Sequence, residues 1–256
     1  MADTTGLLVN AAACAFGFGV LHYVLQQLAQ KLHPSDGPKA RHEWANYVIS
    51  CGQAAISGFA GAMGLLFEEP FASAFYQVCA FYADIDTVHG HSTTLKVAMP
   101  IILGYFIYDL LLAAVGCGAE FEMLMVLHHC LCVIIWPISY HYQAGCFYVL
   151  YMMAAELSTP FLWLVVYFLP KYKVAGSAYT GLGLLMVLVF FSVRILPGPA
   201  LLKSLLASQS YWNDVNRVVY VLAMITLPLP TLLFAYWFSR ILGGMFAALT
   251  SDKKDT

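Results

Sequence analysis

The sequence predicts an all-α, polytopic transmembrane helix bundle of about seven spans, and three observations predict it. Of its 256 residues, 61% are hydrophobic and only 10% are charged, where a soluble domain carries about 45–50% apolar and about 25% charged residues. Mean hydropathy is +0.75 over the whole chain. The apolar residues fall into runs long enough to cross a bilayer, about 20 residues at 1.5 Å each, separated by charged or Pro/Gly-rich breaks. A chain of this size with short loops has no room for a second folded domain. This composition excludes a disordered chain and a soluble enzyme. The net charge of −2, from 12 Lys and Arg against 14 Asp and Glu, gives no basic surface for nucleic acid.

The spans are expected at 6–29, 45–67, 94–115, 121–141, 145–169, 174–196 and 212–243. The first lacks a basic n-region and is too long for a signal-peptide core, so it stays as helix one. Residues 70–83 are apolar and aromatic but too short to span, and are expected to lie in the interface or re-enter. Residues 197–210, opened by Pro197-Gly198-Pro199, form a second such connection. The organisation is then an N-terminal span and first loop (1–39), a helix bundle (40–245) and a polar tail (246–256). The 7 Cys are odd in number and mostly lie inside apolar runs, so they read as small buried hydrophobes rather than a disulfide framework.

Lys31, Lys39, Arg41, Lys171, Lys173, Arg240, Lys253 and Lys254 all fall on one side of a seven-span topology, against Lys96 and Lys203 on the other. By the positive-inside rule the C-terminus is expected in the cytosol and the N-terminus outside. The ending Lys253-Lys254-Asp255-Thr256 resembles a dilysine retrieval signal, which implies residence in the endoplasmic reticulum.

Ionisable side chains inside a bilayer cost about 2.5–3.5 kcal/mol each on the insertion scale, so each needs a partner or a purpose. Asp109 in the third span and His128 in the fourth lie at similar depth from the same side, about 9–11 Å in, so a carboxylate and an imidazole can meet there. His128 and His129 are consecutive and diverge by about 100°, so only one can face Asp109. A histidine held by a carboxylate is a general base; the same pair can also serve only to tie two helices together. Glu156 sits mid-span before Leu157-Ser158-Thr159-Pro160. Pro160 has no N–H, so the Glu156 carbonyl is expected to be free and to line a cavity. Arg194 is expected at the end of the sixth span, where it can snorkel to the interface or bind a headgroup. Arg217 opens the seventh span as an interface anchor, and Asp84, Asp86, His89 and His91 read as a solvated loop rather than a metal site. His22, His33, His42 and His141 lie near expected helix ends and are assigned no chemistry.

These residues resemble the TLC-domain family, which includes the ceramide synthases, and within it the branch of TLC domain-containing protein 4. The resemblance rests on Trp44 and Ser50, Gly104-Tyr105 with Asp109, His128-His129-Cys130, the run Ala155 to Phe161, and Val193-Arg194-Ile195, in that order over about residues 40–245. It implies the TLC fold and a role in lipid homeostasis. For an enzyme it implies acyl transfer from acyl-CoA as co-substrate, with His128, His129 and Asp109 catalytic and Glu156, Ser158, Thr159 and Arg194 binding the substrate. This chain departs from the ceramide synthases at Gln53, which replaces a histidine, and at Tyr47, which replaces an arginine. It also has no acid after His129 in the fourth span.

No bound cofactor and no metal are expected. The expected partner is a membrane lipid or fatty-acyl substrate, and a homodimer is the assembly to look for. The alternative is a non-enzymatic lipid-binding or lipid-transport protein that regulates membrane composition. A bis-His haem protein would need a second histidine on a facing helix at matching depth, and none stands out. A retinal protein would need a lysine in the middle of the seventh span, which has none.

Overall fold

The computed structural model describes residues 3–82, 85–115, 123–226 and 228–251, with the side chains of 247–251 left aside. Seven helical segments are long and apolar enough to cross a membrane, so the chain is a multi-pass membrane protein. The first three spans are α1 (Thr4–Leu32), α2 (Pro38–Phe67) and α4 (Thr93–Ala114), with the short α3 (Phe71–Cys79) between the last two. The fourth is α5 (Met123–Tyr142). Span five is broken into α6 (Cys146–Ala155), a 3₁₀ turn (Glu156–Ser158), α7 (Thr159–Trp163), a π turn (Leu164–Phe168) and α8 (Leu169–Lys171). Span six is α9 (Ser177–Phe190) with a π turn (Phe191–Ile195), followed by α10 (Gly198–Ala207). Span seven is α11 (Arg217–Thr226) and α12 (Pro228–Ser251). Among the described residues there is no strand, only an isolated bridge between His89 and Ala144.

The helix ends follow local chemistry. Asp3 caps α1 by accepting the Gly6 N–H at 2.9 Å, and Pro38 fits the first turn of α2 because its missing N–H would have no helical partner there. This carries α2 well before the expected start at 45. Ser92 caps α4 through the Leu95 N–H at 3.0 Å, and its own hydroxyl donates to Glu68 at 2.7 Å, tying the end of α2 to the start of α4. The two expected non-spanning pieces are the helices α3 and α10. α3 buries Phe71, Ala72, Ala74 and Val78, and leaves Tyr76 exposed. The end of residues 70–83, Asp84 of the loop cluster, the start of the fourth span at 121–122 and the Lys253-Lys254 tail lie outside the described residues. The expected start of span seven at 212 is corrected: Trp212 closes a 3₁₀ turn (Ser208–Trp212) and the helix begins at Arg217.

α1 packs along α4 and α2, and α2 packs along α6. Both contacts need helices at close range, and glycine permits it. A Cβ on Gly104 would meet Cys14 Cβ at 2.5 Å and the Ala11 carbonyl at 2.8 Å; on Gly61 it would meet Ala154 N at 2.3 Å. At one end of the bundle Lys171 reaches Asp36 at 2.5 Å, and Trp44 Nε1 donates to the Tyr172 hydroxyl at 3.1 Å. The hydrogen bond from Lys171 holds the Asp36 carboxyl below the usual carboxylate range. This clasp gathers the loops carrying Lys31, Lys39, Arg41, Lys171 and Lys173 at one end, called here the basic end. Because the neighbour of Gly61 is backbone, which cannot rotate away, Gly61→Leu should destabilise the bundle by at least about 1–3 kcal/mol. The expected outcome is a large loss of monodisperse protein on size exclusion in detergent, while Gly243→Leu, where a Cβ meets nothing within 4 Å, leaves it unchanged.

Candidate functional site

The polar side chains predicted to matter gather into two pairs at different depths, Asp109 with His129 nearer the basic end and Glu156 with Arg194 deeper in the bundle. α4 and α5 run antiparallel, and Asp109 and His129 each lie about 8–9 Å in from their helix ends at that side. His129 Nδ1 stands 2.9 Å from Asp109 Oδ2, with only 7% of the histidine side chain and 19% of the aspartate exposed. The nitrogen makes no aligned hydrogen bond, so the contact is a close approach whose geometry is not that of a formed hydrogen bond. Phe106 lies against the ring at 4.8 Å between centroids and Tyr105 meets it edge-on at 6.0 Å. Of the two histidines, therefore, it is His129 that faces Asp109.

His128 points the other way. Its Nε2 lies 3.9 Å from Cys132 Sγ and its ring meets Trp237 edge-on. It lines a cleft between α5, α6 and the last span, with Cys132, Trp136, Tyr148, Met152 and Thr226, whose cavity volume is about 40 Å³. That holds a few waters. This cleft is far smaller than the about 300–1,000 Å³ that a drug-sized ligand occupies.

Glu156 and Arg194 form the second pair. Arg194 is 4% exposed, so of the two alternatives expected for it, snorkelling to the interface is the one the structure overturns. Its Nη2 donates to Glu156 Oε1 at 3.1 Å and to Thr159 Oγ1 at 3.0 Å, and its Nε donates to Ser158 Oγ at 2.7 Å and to the Ala155 carbonyl at 3.2 Å. Thr159 in turn donates to Glu156 Oε2 at 2.7 Å. The guanidinium also lies over the Phe234 ring, 4.6 Å from its centre. The reason Arg194 turns inward is the break in span five. The Glu156 carbonyl, expected to be free, is taken by the Thr159 N–H of the 3₁₀ turn. The Ala155 carbonyl instead receives the side-chain donors, Arg194 Nε and Ser158 Oγ. A buried guanidinium needs several acceptors, and the broken turn with its Ser and Thr supplies them. All four residues predicted to bind substrate are thus brought together, and they satisfy one another.

The pairs share surroundings. Tyr105 is within electrostatic reach of both Asp109 and Glu156, and His128 of Glu156 and Arg194. The sequence reading missed the residues beyond Asp109. Asn46 Nδ2 donates to Asp109 Oδ1 at 3.4 Å, Tyr108 donates to Asn46 Oδ1 at 3.2 Å, and His22 Nδ1 lies against the Tyr108 hydroxyl. His22 is buried mid-helix and its Nε2 is 2.8 Å from Nδ1 of His42 in the first turns of α2, which corrects the reading of His22 as a helix-end histidine. They are the facing pair a bis-His haem would require, but their nitrogens are too close to admit an iron between them. A signal existed: Asn46, Ser50, Gln53 and Ser57 recur at helical spacing in α2 and all are buried. Elsewhere, His89 pairs locally with Asp86 at 3.1 Å and His91 bonds Gln143 at 2.7 Å, so the loop histidines do not converge. His141 meets Thr4 across the opposite end of the bundle.

A family model described as the TLC domain matches residues 43–243. The chain belongs to the TLC-domain family. This TLC-domain chain is 25% identical over 220 residues to TLC domain-containing protein 4 of Homo sapiens, covering 82% of this chain and 79% of that one. It is 31% identical over 105 residues to TLC domain-containing protein 2 of Homo sapiens, covering 41% of this chain and 34% of the relative. No solved structure gives a significant match. The tandem histidines, the Glu156 run and Arg194 all fall within the matched domain.

Since Arg194 and Glu156 are both buried, removing one strands the other's charge at a cost of about 3–5 kcal/mol. Arg194→Met should therefore lower the detergent melting temperature markedly and cut folded yield, whereas His129→Gln, which keeps a hydrogen-bonding side chain, should melt close to wild type; fluorescence-detected thermal unfolding of both variants checks this.

Proposed function

We propose that this TLC-domain protein resides in the endoplasmic reticulum, with its N-terminus lumenal and its C-terminus cytosolic, and acts in lipid homeostasis by transferring an acyl group to a lipid. The observation that carries the reading is the 2.9 Å approach of His129 Nδ1 to Asp109 Oδ2 without an aligned hydrogen bond. Catalytic hydrogen bonds are often poorly directed before substrate binds and tighten in the complex. With its Nδ1–H turned to the carboxylate, His129 presents Nε2 as the base. It takes the proton of an incoming amine or hydroxyl as that group attacks the acyl-CoA thioester carbonyl. The C–S bond then breaks and the imidazolium returns the proton to the departing thiolate, so no net proton is lost. Asp109 stabilises the imidazolium. His128, in the cleft beside Cys132, contacts the second reactant. Glu156, Ser158, Thr159 and Arg194, which satisfy one another, hold spans five and six in place beside the site. The basic end is the side from which an anionic CoA would arrive, and the positive-inside rule supports the proposal that this end faces the cytosol.

A second reading is favoured by the size of the cleft, about 40 Å³. An acyl chain does not fit there without α5 parting from α11 and α12, and a protein that only binds or senses lipid at its bilayer-facing surface needs no such opening.

Whole-lipid mass spectrometry separates the two. Cells lacking the protein are complemented with wild type, His129→Gln, His128→Gln or Asp109→Asn at matched expression. Acyl transfer predicts that wild type restores one acylated lipid class while His129→Gln and Asp109→Asn restore less than about a tenth of it. Rescue by both variants equal to wild type removes the acyl-transfer reading and leaves lipid binding.

A further inference from the structure

We propose that Asn46, Tyr108 and His22 are positioning residues: a one-way chain of hydrogen bonds, contributed by α1, α2 and α4, that fixes Asp109 for His129. This rests on the reading of His129 as the base.

The direction of each bond follows from the donors available. Asn46 gives its amide N–H to Asp109 Oδ1 at 3.4 Å, so its carbonyl oxygen is left to accept, and the Tyr108 hydroxyl donates to it at 3.2 Å. A phenol has one proton. Tyr108 has spent its proton on Asn46, so it accepts from His22, and His22 Nδ1 carries the hydrogen. The remaining nitrogen of a neutral His22, Nε2, is then an acceptor; the Gln26 amide lies 2.9 Å from it and His42 Nδ1 lies 2.8 Å from it. Every donor therefore points toward Asp109. Bonds aligned in this way polarise one another and strengthen the hold on the carboxylate oxygen at the end of the chain. The chain orients and does not conduct, because the Asn46 amide offers no ordinary route for a proton to pass through it. Burial supports this: His22, Asn46 and Tyr108 are 6%, 8% and 3% exposed, so water does not compete for the bonds.

The arrangement does something for Asp109 that its pairing with His129 does not. A carboxylate held at only one oxygen can swing about its χ angles, and the second contact, at Oδ1, leaves Oδ2 as the oxygen presented to the imidazole. The consequence is a fixed tautomer. With Oδ2 in place, the Nδ1–H form of His129 is favoured and Nε2 stays free; without it, the two tautomers mix.

The test uses the full-length protein in lipid nanodiscs with ¹⁵N-labelled histidine, the His129 ring signals being assigned by their loss in His129→Gln. Wild type should show His129 predominantly as the Nδ1–H tautomer. Tyr108→Phe keeps the ring, which packs 5.9 Å from Phe18, and removes only the hydroxyl; it should raise the Nε2–H share several-fold. His22→Leu should do the same, and His22→Gln, which can still donate to Tyr108, should restore the wild-type ratio; this pair decides the matter should Tyr108→Phe not fold. An unchanged tautomer ratio in the folded Tyr108→Phe or His22→Leu variant, or a wild type already lacking the Nδ1–H form, overturns the proposal. Because the readout is a ring tautomer and not a lipid product, loss of the acyl-transfer reading alone would leave the tautomer result standing.

Discussion

Placing charge inside an apolar bundle is the constraint on which the rest of this structure depends. An isolated ion in that medium costs several kcal/mol, and Asp109, Glu156 and Arg194 each stand against a partner. Arg194 shows the demand most fully. Its guanidinium is met by a carboxylate, two hydroxyls and a backbone carbonyl, and the last of these is available because span five abandons α-helical geometry between Ala155 and Thr159. The broken turn and the buried arginine explain each other: neither would be stable in this environment alone.

The two buried pairs are finished to different degrees. Around Glu156 and Arg194 the strong donors and acceptors are used within the cluster. Around Asp109 the aspartate is held from behind by Asn46, while the histidine in front of it carries a nitrogen at ion-pair distance without an aligned bond. A closed cluster of charges resists rearrangement, whereas an open pair retains the capacity to take a proton. Under the proposed function this difference gives the first to architecture and the second to chemistry, although Tyr105 stands within electrostatic reach of both.

Much of this was legible in the amino-acid order. Long apolar runs define the spans, because length and hydropathy are properties of one segment. The meeting of Asp109 with the histidine tandem also followed from equal depth on adjacent antiparallel helices, and the 100° offset showed that only one ring could face the carboxylate. What sequence could not supply were pairings between distant helices. Arg194 was left between snorkelling and headgroup binding because nothing local reveals that Glu156, 38 residues earlier, faces it. His22 lies 86 residues from Tyr108 in the chain, and nothing local reveals that the two meet. The Glu156 carbonyl was misjudged for a related reason: proline removes a donor predictably, but whether the helix answers by exposing a carbonyl or tightening to a 3₁₀ turn depends on the arginine brought in from another span.

The division between a structural pair and a chemical one is most directly tested by replacing the structural pair as a unit. Swapping both members of a buried ion pair for apolar side chains of similar volume is often close to neutral for stability, so Glu156→Met combined with Arg194→Met should yield a folded protein. The measurement is the cellular lipid profile restored by this double variant at matched expression. The account predicts that it restores the acylated lipid class to within a few-fold of wild type. A double variant that folds as well as wild type and restores none of it would contradict the division, and would place Glu156 and Arg194 in the chemistry itself.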